Sequence, residues 1–142
     1  MDHLSLGRKF HPHLEKMAKR IPNLRFVVLA TLDGFNICSL GLTESQVGKM
    51  ASLSGSLFSI GEAIVEAVHN AGPSSAGENL ELQTFEAGRL QVVNVRLHGS
   101  HPQLVMMIGA TAPLGVVLVG VRATIHEIKT TITPDNLIVN KA

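Results

Sequence analysis

TESQVGKMASLSGSLFSIGEAIVEAVH, residues 43–69, is the stretch from which the rest of the sequence falls into place. Thr43 and Gln46 have the spacing of a capping box, in which each side chain can satisfy an orphan amide of a helix's first turn. Val47, Met50, Leu53, Leu57, Ile60, Ile64 and Val68 then recur every three or four residues, and Ala51, Phe58 and Val65 widen the apolar stripe. The spacing predicts one long helix. Its other face is unusual, because Gly48, Ser52, Gly55 and Ser59 fall in one row where long charged side chains would be ordinary. A glycine inside a helix costs about 1 kcal/mol relative to alanine, so two in register ask for a reason. Small residues let another backbone approach closely, either a second copy of this helix or a partner protein. The plainer alternative is a weakly polar surface that tolerates glycine.

Strand signals lie on both sides of this helix. Before it, Leu24 to Leu32 (LRFVVLATL) is almost continuously apolar, as a strand covered on both faces would be. Asp33-Gly34 is a strong hairpin turn, and Phe35 to Leu40 follows as a second strand. Upstream, Phe10, Leu14, Met17 and Ile21 make a short helical stripe that Pro22-Asn23 stops. After the long helix, residues 72–79 (GPSSAGEN) read as a loop. Leu80 to Phe85 alternates as a third strand, and Glu86-Ala87-Gly88 turns into a fourth, Arg89 to Leu97. There the apolar phase slips between Val92 and Val93, which fits either a bulge or cover on both faces. His98 to Pro102 is a turn, Leu104 to Ile108 a fifth strand, and Pro113 opens a last helix with Leu114, Leu118, Val121, Ile125, Ile128 and Ile132 as its stripe.

Joining hairpin neighbours, with the doubly apolar strands inside, gives an α/β (α+β) fold whose antiparallel sheet has the order 2-1-5-4-3, with helices on both faces. The third strand is then an exposed edge, blunted by Glu81 and Glu86 or paired with a two-fold mate. One domain is expected over residues 1–142, its core from about 10 to 132, with a short tail at 133–142. Leu104 to Val121 is about the length of a membrane span, but Gly109, Pro113 and Gly115 punctuate it as two elements, so no membrane insertion is expected.

With 45% hydrophobic residues and only 16% charged, the composition is apolar enough to hint at contact surface beyond a single fold. The net charge of +1 is unevenly distributed. Residues 1–32 carry six basic side chains against two acidic, residues 33–88 one against seven, and the remainder five against two. No concentrated basic face with stacking aromatics emerges, so nucleic acid is not an expected partner. Cys38 is the lone cysteine, which excludes an internal disulfide and suits the cytoplasm, and residues 1–9 have no apolar run of a signal peptide.

Chemistry is hard to find. His11 and His13, and His98 and His101, form two pairs without an obvious third and fourth ligand, so no metal and no cofactor are expected. The glycines at 109, 115 and 120 lack the Lys-Ser/Thr of a phosphate loop. Cys38 sits in a strand as a packing residue. No catalytic residue is assigned.

The element order, with Ile21-Pro22-Asn23-Leu24, the Asp33-Gly34 hairpin in VVLATLDGFNICS and Ala112-Pro113-Leu114-Gly115 opening the last helix, resembles the roadblock/dynein light-chain family. The likeness runs from about Phe10 to Ile132, with Asn23 standing where the family pattern has glycine. It implies a profilin-like sandwich, with the long helix on one face and the terminal helices on the other. It also implies a homodimer joined through the third strand, with Leu80, Glu81, Leu82, Gln83, Thr84 and Phe85 at the border and the Gly48, Ser52, Gly55, Ser59 row between paired helices. Bacterial members of the family resemble partners of small Ras-like GTPases, and some accelerate GTP hydrolysis. Others are light chains or scaffold subunits. By that resemblance Lys49, Ser56, Glu62 and Glu66 of the long helix would meet the GTPase. Ordering the partner's switch loops needs no inserted residue; were an arginine finger used, Arg25, Arg89, Arg96 and Arg122 are the candidates by chemistry alone.

Overall fold

A computed structural model describes residues 3–70, 80–97 and 103–131. The chain runs α1 (His3–Arg20), β1 (Leu24–Thr31), β2 (Asn36–Leu40), α2 (Glu44–Asn70), β3 (Leu82–Ala87), β4 (Leu90–Leu97), β5 (Leu104–Ala110) and α3 (Leu114–Thr131). All strand pairs are antiparallel and the sheet order is β2-β1-β5-β4-β3, as the hairpin logic requires.

Period-two alternation divides the central strands between two apolar layers. Val27 and Leu29 of β1, Val93, Val95 and Leu97 of β4, and Leu104, Met106 and Ile108 of β5 point into the layer completed by α1 and α3. Val28, Ala30, Val105 and Met107 point the other way, where Ala51 and Phe58 of α2 meet them. Every residue of β5 is buried. The slip at Val92 and Val93 is thus double cover: β4 pairs without a bulge to both neighbours.

Local chemistry accounts for the joints. Thr31 holds the β1–β2 turn, accepting from the Gly34 amide through its carbonyl at 2.9 Å and from the Phe35 amide through its hydroxyl at 2.9 Å. Asn23 adopts φ 57°, the left-handed conformation that glycine takes most easily and asparagine next. That places the Asn23 carbonyl 3.1 Å from the Thr111 amide, which donates to it. Asparagine therefore does the work of the glycine in the family pattern.

Some boundaries differ from expectation. α1 begins at His3 rather than near Phe10 and contains Pro12, because Leu6, Phe10, Leu14 and Met17 are all buried and their packing outweighs the hydrogen bond that proline removes. β3 covers 82–87, two residues later than its alternation suggests, and Gly88 at φ 61° makes the turn. At the start of α2 only half of the capping box forms: the Gln46 side chain accepts from the Thr43 amide at 2.9 Å, while the Thr43 hydroxyl lies 3.1 Å from that of Ser45. The stretch 104–121 is a strand and a helix, broken at residues 111–113. The expected loop at 72–79, the turn at 98–102 and the tail at 133–142 lie outside the described residues.

On the far side of the sheet, Arg20 donates to Glu127 and joins α1 to α3. His13 lies 3.3 Å from the same carboxylate and 3.2 Å from the Thr131 hydroxyl. The hydrogen bond from Arg20 lowers the Glu127 carboxyl to about 2, with help from His13.

Candidate partner-binding surface

The helix α2 is rotated from the expected sense: Ala51 and Phe58 of the apolar stripe are buried and Met50 and Leu57 pack beside them, but the rest of the stripe turns outward. Its buried positions are Ala51, Ser54, Gly55, Phe58 and Gly61, mostly small, while Leu53, Ile60, Ile64 and Val68 of the apolar stripe are exposed, the last three at 59–65%. Two glycines explain how close the helix comes. A Cβ on Gly55 would lie 2.3 Å from the Leu32 carbonyl oxygen, and one on Gly61 would lie 2.4 Å from a Leu80 methyl. Small inward residues therefore let α2 lie against the β1–β2 turn on one flank and the approach to β3 on the other.

Polar groups fix the depth and register of that contact. Asn94 of β4 donates to the Ser54 carbonyl at 3.0 Å and to Gln83 Oε1 at 3.1 Å, and accepts from the Ser54 hydroxyl at 2.6 Å. Gln83 of β3 donates to the Leu57 carbonyl at 2.8 Å. Buried polar groups are tolerable when paired this way. One turn farther on, Arg96 pairs with Glu62 at 2.6 Å, and its guanidinium carbon lies 5.6 Å from the centre of the Phe58 ring.

These contacts sort the expected site residues. Gly55 cannot meet a second helix, because the β1–β2 turn already occupies its face; its place in the interface is corrected on steric grounds. Gly48, Ser52 and Ser59 are exposed and stay accessible. Leu80 and Gln83 turn inward to α2, whereas Glu81, Thr84 and Phe85 are exposed and Leu82 is half-buried on the α3 side. β3 is an edge strand of the sheet, as expected. Lys49, Ser56 and Glu66 face solvent, but Glu62 is already engaged by Arg96. Arg96 itself is no candidate finger: its side chain is 10% exposed and tied to Glu62, while Arg25, Arg89 and Arg122 are exposed.

Sequence reasoning missed the outward apolar row. A stripe every three or four residues reads as a buried face unless the small residues beside it are recognised as the closer-packing side. The row lies toward β3, since Gly61, next to Ile60, abuts Leu80 and Gln83. Phe85, 39% exposed, continues the apolar surface on the border strand. By length and composition α2 is also apolar enough to cross a membrane. Among the described residues no three potential metal ligands converge, and burial pushes the Cys38 thiol up to about 12, so it is not a nucleophile at neutral pH.

No family profile matches the sequence, and no curated protein is significantly similar to it. Solved structures are. Myxococcus xanthus MglB superposes with a TM-score of 0.72 at 18% identity over 89% of each chain. A roadblock/LC7 domain from Streptomyces avermitilis gives 0.69 at 16% identity, covering 83% of this chain and 92% of that one. The gliding protein MglB of Thermus thermophilus gives 0.67 at 14% identity, over 83% and 84%. The chain thus has the fold of the roadblock/LC7 domain.

Proposed function

We propose that this chain is a non-catalytic, homodimeric docking platform that binds a small Ras-like GTPase and modulates its nucleotide cycle. The observation that carries the reading is the outward apolar row of α2, Leu53, Ile60, Ile64 and Val68, lying beside the open edge of β3. An apolar flank next to a strand edge that no other described strand pairs suits a second copy related by a two-fold axis, which would extend the sheet and cover the row together. The fold shared with MglB and the resemblance to GTPase partners support a small GTPase as the occupant. Acceleration of hydrolysis, where it occurs, would come from ordering the partner's switch loops.

Sedimentation of the purified chain at micromolar concentration tests the first half. A dimer is expected, and Ile60→Glu with Ile64→Glu should leave folded single subunits; a wild-type monomer would end this reading. Phosphate release from a small Ras-like GTPase of the same organism, with and without the purified chain, tests the second half. Binding with unchanged release would leave a structural adaptor, the alternative the family resemblance keeps open.

A further inference from the structure

The opposite side of the sheet carries a second surface, which borders the platform at Glu81 and at Leu82 of β3 but uses none of its α2 row. α1 packs on β2 and α3 on β4, and between β3 and α3 an open groove of about 310 Å³ remains. Leu82, Val121 and Ile125 line its apolar part, and Arg122, His126 and Lys129 follow one another along its α3 wall. These three are exposed at i, i+4 and i+7, one row of the helix about 10 Å long.

Charge sets the character of this row. Arg20 and Arg96 are each paired with a carboxylate, Glu127 and Glu62. Among the described residues neither Arg122 nor Lys129 makes an ion pair, and the row itself holds no acidic residue. We propose that the groove between β3 and α3 binds a short acidic segment of a partner protein, its aliphatic side chains on Leu82 and Ile125 and its carboxylates on Arg122 and Lys129. About three extended residues span the row, at ~3.3 Å each. Glu81 on the facing wall disfavours a flat anionic membrane, which would press charge on both walls, and leaves a segment narrow enough to follow the α3 side.

The test is fluorescence anisotropy of the full chain with a labelled, capped peptide alternating glutamate and leucine. Saturable binding is expected. It should weaken about tenfold or more in Arg122→Glu/Lys129→Glu and with a glutamate–serine peptide, while sedimentation of the variant matches wild type. Equal affinity of wild type and variant, no saturation below millimolar protein, or binding to phosphatidylglycerol vesicles without binding to the peptide would each overturn the proposal. None of these readings uses a GTPase or the α2 face, so failure here is separate from failure of the platform.

Discussion

Ser54 and Asn94 are joined twice: the serine hydroxyl donates to the amide oxygen at 2.6 Å, and the amide nitrogen donates to the serine carbonyl at 3.0 Å. Both residues are fully buried. Replacing Asn94 by alanine strands the Ser54 hydroxyl and loosens Gln83, at an expected cost of about 2–3 kcal/mol. Ser54→Ala leaves one acceptor unmet and should cost about 1 kcal/mol. Urea unfolding of the two single variants and the double variant should show non-additive losses, since the two share one network.

Substitutions at the two glycines of one row should have opposite signs. Nothing lies near a Cβ at Gly48, so Gly48→Ala should stabilise by roughly 0.5–1 kcal/mol through helix propensity. Gly55→Ala forces a methyl to 2.3 Å from the Leu32 carbonyl oxygen and must lift α2 or shift the turn. A loss of roughly 1–3 kcal/mol is expected, as for other overpacked sites. Thermal midpoints of the two variants measure the contrast.

Asn23 supplies a conformation rather than a contact. Asn23→Gly should be close to neutral, whereas Asn23→Ala should cost about 1–2 kcal/mol, the penalty of a Cβ residue held left-handed without asparagine's local compensation. Equal losses in both variants would show that the side-chain contact to the Thr111 carbonyl matters more than the backbone.

The clamp between α1 and α3 should fail in acid. Arg20 holds the Glu127 carboxyl at about 2, below its ordinary 4.5. A depressed carboxylate stabilises the fold fully above the ordinary value, and that contribution is lost as pH falls from about 4.5 towards 2. Glu127→Gln should lower the thermal midpoint at neutral pH and reduce its fall on acidification. Parallel acid curves for wild type and variant would contradict this.

Element order and strand order were legible in the sequence because each depends on local signals: Asp33-Gly34 makes a turn, and β5 is apolar at nearly every position. The seating of α2 was not. Its helical period is clear, but which flank packs depends on how near the sheet can come, and that is decided by Leu32 and Leu80, far from Gly55 and Gly61 in sequence. Arg96 was equally opaque: only the fold brings Glu62 and Phe58 to it. The start of α1 was missed for the same reason, since only the fold shows that Leu6 is buried with Phe10 and Leu14.

Asn94 and Gln83 grip carbonyls of the α2 backbone, at Ser54 and Leu57, so the seat ignores whatever side chains the helix shows to the outside. Substitutions at Leu53, Ile60, Ile64 or Val68 can therefore change the surface the helix presents without changing where it rests. A mount of this kind allows the outward surface to drift across generations while the frame beneath stays constant.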